Sequence, residues 1–237
     1  MNSVKGKLYL IPTTLGDCPP EQVLPSEVFR VIAGLKKFVV EDIRSARRFL
    51  SSAGLKGHID GLEFHELNEH STVSDVEALA PLFDDGADVG LLSEAGLPAV
   101  ADPGADLVAL CHRRGIRVVP LAGPSSLMLS LMASGLNGQS FAFRGYLPAK
   151  TEERRREIKL VEKESASMHR TEIFIETPYR NDSLFEDLLR TLSPSTRLCV
   201  AADITLPTET ILTRTVAQWR SDKLIIGKRP CVFLILA

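Results

Sequence analysis

The chain has 237 residues, 44% hydrophobic, 24% charged and 6% aromatic, a balance that excludes a collagen-like chain, a disulfide-rich miniprotein and a disordered tail. Twenty-eight Lys and Arg against 30 Asp and Glu leave a net charge of -2. A nucleic-acid partner therefore has to be held by local basic patches, because the field of the whole chain offers no help. The four cysteines, Cys18, Cys111, Cys199 and Cys231, stand far apart without CxxC spacing. They read as reduced, mostly buried residues of a cytoplasmic protein, with no metal ligation expected.

The first apolar run is too short for a signal peptide. Residues 118–143 carry no charge, yet Pro120, Gly123, Pro124, Gly135 and Gly138 interrupt them, so strand, loop and helix are expected there and no membrane span. Short β-branched runs predict strands over 7–11, 38–40, 62–65, 89–92 and 116–121. Amphipathic patterns predict helices over 26–34, 45–53, 74–83, 105–114 and 125–134. Alternation of this kind means an α/β fold with a parallel sheet and helices on both faces. The second half changes character. A strand over 141–145 leads into a charged helix over 151–163, then strands over 172–176 and 197–202 flank a helix over 181–192. A strand over 210–216, a short helix containing Trp219 and a terminal strand over 231–236 follow. Two consecutive strands without a helix predict a mixed α/β domain. The cluster of Gly115, Pro120, Gly123 and Pro124 sets the expected boundary, giving domains over 1–119 and 120–237.

In open parallel sheets ligands bind outside the carboxyl ends of the strands. The loops to weigh are therefore 12–16, 41–44, 65–71, 93–104 and 122–126, all rich in Gly, Pro, Ser or charge. No GxGxxG follows the first strand and no GxxxxGK[ST] occurs, which disfavours a Rossmann dinucleotide site and a P-loop. No HExxH or His/Cys cluster points to a catalytic metal. Within 93–104, Glu94 suits hydroxyl or amino donors and Asp102 suits the cap of the next helix, and the glycines serve either turns or a ligand. Ser125 or Ser126 reads equally as a plain helix cap.

Taken in order, several motifs carry a resemblance. They are Lys7-Leu8-Tyr9-Leu10-Ile11-Pro12-Thr13-Thr14-Leu15-Gly16, Glu41-Asp42-Ile43-Arg44, Ser93-Glu94-Ala95-Gly96-Leu97-Pro98 with Asp102-Pro103-Gly104, Gly123-Pro124-Ser125-Ser126 and Gly145-Tyr146-Leu147-Pro148. From about residue 6 to its end the chain resembles the ribosomal RNA small-subunit methyltransferase I family, which makes 2′-O-methylcytidine and belongs to the tetrapyrrole-methylase superfamily. The resemblance implies a class III methyltransferase that uses S-adenosylmethionine, built from two α/β domains with the cofactor between them, in a homodimer. The chain departs from the family at Ile43 (Thr), Glu94 (Asp), Leu97 (Thr), Ala122 (Pro), Leu67 (His) and Ala202 (Arg).

By the same resemblance Leu10 and Pro12 line the adenosyl pocket, and Ser93, Glu94, Ala95 and Gly96 wrap the methionine and ribose. Ser125 and Ser126 supply donors to a carboxylate, and Phe174 and Ala202 close the far side. A ribose hydroxyl is a weak nucleophile and profits from a base. Glu41 or Asp42 is placed to take its proton, and Arg44 to grip a phosphate. The alternative is that Asp42 and Arg44 pair with each other or cap the following helix. His65 suits a structural role better than a catalytic one. The run Glu152–Glu157 reads as a solvated helix through its i,i+4 pair, or as a phosphate patch, and Arg44, Arg47 and Arg48 make a second basic face. The expected activity is methylation of ribosomal RNA. The alternatives are methylation of a tetrapyrrole or other small molecule on the same fold, or a cofactor-binding relative without catalysis.

Overall fold

Alternating apolar side chains build the first half of the chain, because a strand covered by helices on both faces must send successive residues into two separate cores. The computed structural model describes residues 5–237, and the chain divides into two units, Met1–Ser125 and Ser126–Ala237. In the first unit the order is β1 (Leu8–Ile11), α1 (Ser26–Gly34), β2 (Lys37–Val40), α2 (Ile43–Leu50), β3 (Glu63–Glu66), α3 (Val73–Ala78), β4 (Val89–Leu92), α4 (Ala105–Arg113) and β5 (Val118–Pro120). The five strands form one parallel sheet in the order β3-β2-β4-β1-β5.

Leu8, Val39, Val89 and Leu91 enter a core with Val76 of α3 and Leu107 and Leu110 of α4. Ile11, Phe38, Val40 and Leu92 enter the opposite core with Val28 and Ile32 of α1 and Ala46 and Leu50 of α2. The helices after β1 and β2 thus lie on one face and the helix after β4 on the other. Since β4 sits between β1 and β2, neighbouring strands lead to helices on opposite faces, and the carboxyl ends of such strands are where open parallel sheets bind ligands.

The described elements keep the expected types, with shifted ends. Helix α2 starts at Ile43, ahead of the expected 45, because the Asp42 side chain accepts from the Ser45 amide at 2.7 Å. Asp102 does not cap α4. Gly104 precedes that helix, at φ 125°, without a side-chain cap. The division of the chain at 125/126 falls later than the expected 119/120, and β5 pairs with β1 through Leu8 opposite Val118 and Leu10 opposite Pro120.

The second unit contains α5 (Ser126–Ser134), β6 (Phe141–Tyr146), α6 (Thr151–Met168), β7 (Thr171–Ile175), α7 (Asn181–Thr191), β8 (Arg197–Ala202), β9 (Thr210–Thr215), α8 (Val216–Ser221) and β10 (Cys231–Leu236). Its sheet runs β6-β7-β10-β8-β9, with β6 and β7 parallel and the remaining pairs antiparallel. The wholly apolar β10 is buried at its centre. Trp219 is buried too, its indole N–H donating to the Leu198 carbonyl at 2.8 Å and its ring meeting Phe185 edge-on. Among the described residues no helix is long and apolar enough to cross a membrane.

Helix α6 runs to Met168, past the expected 163, and ends where His169 takes a left-handed φ of 47°. One charged residue in it is not solvated. Arg154 is buried, pairs with Asp187, and donates to the Ala149 carbonyl at 3.2 Å and the Ser183 hydroxyl at 3.0 Å. Its guanidinium is satisfied inside the fold and is not available to a phosphate. Replacing Arg154 by Ala leaves Asp187 buried with Arg155 as its remaining partner at 2.8 Å, so Arg154→Ala is expected to lower stability by about 1–3 kcal/mol. Urea unfolding of the two proteins measures the difference.

Candidate functional site at the carboxyl edge of the first sheet

Backbone packs against backbone where the loops after β1, β4 and β5 meet. The Thr13 amide donates to the Gly96 carbonyl at 2.9 Å, tying the first loop to the second. Gly96 holds φ at +77°, a left-handed value that costs a side-chain-bearing residue free energy. A Cβ on Gly96 would lie 3.1 Å from Leu15 Cδ2, and one on Gly123 would lie 2.2 Å from Pro12 Cβ. Pro12 and Gly123 therefore touch face to face, a contact only glycine permits. Ala99 and Ala101 also hold left-handed backbone, at φ 64° and 63°. Strain collected in one loop is characteristic of binding segments.

Polar groups line this edge. Thr13 is buried and its Oγ1 finds no partner, an arrangement that costs about 1–3 kcal/mol unless something donates to or accepts from it. Ser93 is buried at the start of the β4 loop, with its hydroxyl directed to the Ala95 carbonyl at 3.5 Å. Ser93 also hydrogen-bonds the Asp102 carboxylate. Glu94 and Ala95 are exposed, and Gly96 is buried. Leu10 is half-buried on β1, Ser125 is buried, and Ser126 opens α5 in the second unit.

The loop after β2 brings its carboxylates to the same edge. Glu41 accepts the Glu94 amide at 3.3 Å, while Glu94 accepts the Ser45 hydroxyl at 3.2 Å. Burial, and then the charges of Asp102, Glu94 and Glu69, push the Glu41 carboxyl above its ordinary range against that one amide bond. Burial and the charge of Glu94 raise Asp102 as well, partly offset by Ser93. Asp42 behaves oppositely: the Ser45 amide and hydroxyl hold it below the ordinary range. Its carboxylate is engaged as the α2 cap, the capping alternative of the sequence reading. Arg44 is exposed on the first turn of α2. Arg47 is tied to Asp60 and lies over the Phe64 ring, so the basic face is reduced to Arg44 and Arg48. His65 is occupied by Glu63 at 2.7 Å, and Leu67 packs in the core where the family has His. Two carboxyls raised by burial and by neighbouring negative charge, beside an unpartnered hydroxyl, suit a ligand that is cationic and carries amino and hydroxyl donors.

In the second unit Phe174 is buried and stacked on Phe233, and Ala202 is buried at the end of β8. Both side chains belong to that unit's core. Beside them the sequence reading missed a polar group. Glu176 Oε1 accepts from the Thr177 amide at 2.6 Å and from Arg180 at 2.6 Å, whereas Oε2 is buried without a partner. Thr205 Oγ1 and Asn181 Oδ1 are likewise buried and unpartnered. Asp203 and Thr205 hold left-handed backbone at φ 52° and 74°. All follow strands that end together, as Ile175 opposite Val232 and Ala202 opposite Cys231 show. A carboxylate directly after an apolar strand end, Glu176 after Ile175, was the one sequence signal for them.

Known proteins give an independent view. Residues 25–219 match the family model of Tetrapyrrole (Corrin/Porphyrin) Methylases. A protein of Escherichia coli O157:H7 called ribosomal RNA small subunit methyltransferase I is 32% identical over 207 residues, covering 87% of this chain and 68% of the relative. The protein of that name from Neisseria meningitidis serogroup B is 34% identical over 218 residues, covering 91% and 69%. Among solved structures the methyltransferase CobJ superposes with a TM-score of 0.62 at 15% identity, covering 98% of this chain and 94% of its own. A uroporphyrin-III C-methyl transferase from Thermus thermophilus, complexed with S-adenyl homocysteine, gives 0.58 at 18% identity over 98% and 97%.

The raised carboxyls make a prediction about stability. A carboxyl raised in the fold contributes stability below the ordinary carboxylate range and loses it as pH rises through the raised value. Once ionised, Glu41 therefore opposes folding. Glu41→Gln is expected to melt higher than the parent at pH 7, with the gap closing as pH falls through the carboxylate range. Thermal melts at a series of pH values test this, and a gap that is constant with pH would contradict it.

Proposed function

The chain belongs to the tetrapyrrole (corrin/porphyrin) methylase family and is a methyltransferase, and we propose that it transfers a methyl group from S-adenosylmethionine to the 2′-hydroxyl of a cytidine in small-subunit ribosomal RNA. The observation that carries the reading is the carboxyl edge of the first sheet, where Gly96, Gly123 and Pro12 close three loops on one another beside an acidic rim. The relatives' name supports the RNA acceptor.

When bound, S-adenosylmethionine supplies the electrophilic methyl group. The chain's own residues orient and hold. Leu10 and Pro12 offer the apolar wall, and Gly96 brings its backbone close to the ligand. Ser93 and Ala95 lie along the same segment, with the unpartnered Thr13 hydroxyl beside it. Glu94 and Asp102 accept from amino or hydroxyl donors, and their negative charge favours a cation. Ser125 and Ser126, at the start of α5, suit a carboxylate.

Glu41 is the carboxylate for proton transfer, since a raised carboxyl holds a proton more readily than a solvated one. Asp42 serves by fixing the first turn of α2, and so the placing of Glu41 and Arg44 at either side of it. Arg44 then faces a phosphate of the acceptor strand. Phe174 and Ala202 stay in the proposal as strand-end positions of the second unit, with Glu176 and Thr205 nearby supplying free oxygens. A cytoplasmic enzyme acting as a homodimer, without a metal, completes the reading. Met128 and Met132 exposed on α5 and Phe141 and Phe143 exposed on the edge strand β6 support self-association.

A methyl side chain at Gly96 tests the site. Left-handed strain of about 1–3 kcal/mol, together with contact on Leu15, should distort the loop. Gly96→Ala is expected to bind S-adenosylmethionine about tenfold more weakly or worse by calorimetry. Transfer of labelled methyl to small-subunit RNA should fall with it. Unchanged affinity in the folded variant would place the cofactor elsewhere.

A further inference from the structure

Positions 152, 155, 156 and 159 recur at i, i+3, i+4 and i+7 on α6, one face of that helix. The opposite face, with Arg154, Ile158, Val161 and Ser165, is buried. On the outward face Glu152, Arg155, Arg156 and Lys159 line a hollow of about 490 Å³ whose far wall is Arg190 and Thr191 of α7. Arg190 also borders a second hollow, of about 410 Å³, with Glu186, Leu189, Arg220 and Lys223. The two are joined through Arg190. Together they hold six cations against Glu152 and Glu186, a local excess of four positive charges on a chain whose net charge is -2.

Some of these cations are held in place and others are free to engage a ligand. Arg155 is fixed by Asp187 at 2.8 Å, and Arg220 donates to the Leu189 and Leu192 carbonyls at 2.8 and 3.0 Å. Lys223 pairs with Glu186 at 2.7 Å, and Arg190 approaches the same carboxylate only at 3.9 Å. Arg156 and Lys159 are exposed, and among the described residues neither has a carboxylate at ion-pair distance. Holding unpaired like charges together is unfavourable without a counter-charge.

We propose that this face of the second unit, from α6 across α7 to α8, is a docking track for the phosphodiester backbone of RNA, separate from the carboxyl edge of the first sheet. The inference rests on the RNA-acceptor reading. Four of the six cations are arginines, whose planar fork matches phosphate oxygens two at a time. Two hollows in series suit a polyanion with repeated charges. The only apolar side chain on either wall is Leu189, which is buried, so the hollows offer an apolar partner no anchor and select a ligand by its negative charge. Contacts of this kind position a duplex or loop without reading its sequence.

The test uses the full chain and a fluorescein-labelled transcript of a small-subunit ribosomal RNA stem-loop, titrated at several salt concentrations. The variant Arg156→Gln/Lys159→Gln/Arg190→Gln removes exposed charge. A matched variant, Arg30→Gln/Lys36→Gln/Lys56→Gln, removes the same number of exposed charges from the first unit. The triple variant is expected to bind RNA about tenfold more weakly or worse, with the logarithmic salt slope shallower by about 0.7 for each phosphate it no longer neutralises. Its affinity for S-adenosylmethionine and its melting temperature should match the parent's, and the matched variant should keep the parent's slope. An unchanged slope in a triple variant that still methylates RNA overturns the track and leaves the proposed activity standing. A parent that binds no RNA at any salt overturns both. Phosphatidylserine vesicles that bind the parent and lose the triple variant, while RNA binding is unchanged, would assign the face to a lipid surface instead.

Discussion

The amide of Thr13 donating to the carbonyl of Gly96 joins two loops that are more than eighty positions apart in sequence, and the ligand edge of the first sheet is built around that bond. It forms because β1 and β4 are neighbours and end in register, Ile11 opposite Leu92. Gly96 can turn its carbonyl back only in left-handed conformation, and Gly123 can accept Pro12 only without a side chain. The same closure leaves the Thr13 hydroxyl buried without a partner. The pairing of β1 with β4 makes this possible, since two parallel neighbours release their loops at the same edge of the sheet.

Electrostatics at this edge works against the fold. Glu41, Glu94 and Asp102 are drawn together with no basic partner strong enough to keep Glu41 and Asp102 in the ordinary carboxylate range. The same protein handles acids elsewhere by pairing them. Glu172, buried in β7, is met by Arg144 at 2.6 Å and Arg170 at 2.8 Å, and Asp187 by Arg154 and Arg155. The difference separates acids paired within the fold from the raised carboxyls of Glu41 and Asp102.

Much of this was legible in the sequence, where local chemistry governs. Strand and helix types followed from periodicity, and the loops that meet at the carboxyl edge of the first sheet stood out by their Gly, Pro and Ser. What escaped depends on partners distant in the chain. Arg154 shares its helix with Glu152 and Glu153, so a solvated pair was the natural reading, but its partner Asp187 lies 33 residues on and the side chain is buried. Asp42 offered a base or a cap, and only the Ser45 amide at 2.7 Å decides its engagement. The Thr13 hydroxyl and Glu176 Oε2 are exceptional for the bonds they lack, and a missing bond leaves no mark on a sequence. The departure at Leu67 becomes plain once the residue is seen packing in a core with Val39 and Val76.

The central claim is that this edge directs a methyl group to a ribose of small-subunit ribosomal RNA. Nucleoside mass spectrometry of that RNA, from cells lacking the gene and from the same cells carrying it again, measures this directly. The account predicts one 2′-O-methylcytidine that disappears without the gene, returns with the intact protein and fails to return with Gly96→Ala. Identical ribose methylation in all of these cells would contradict it.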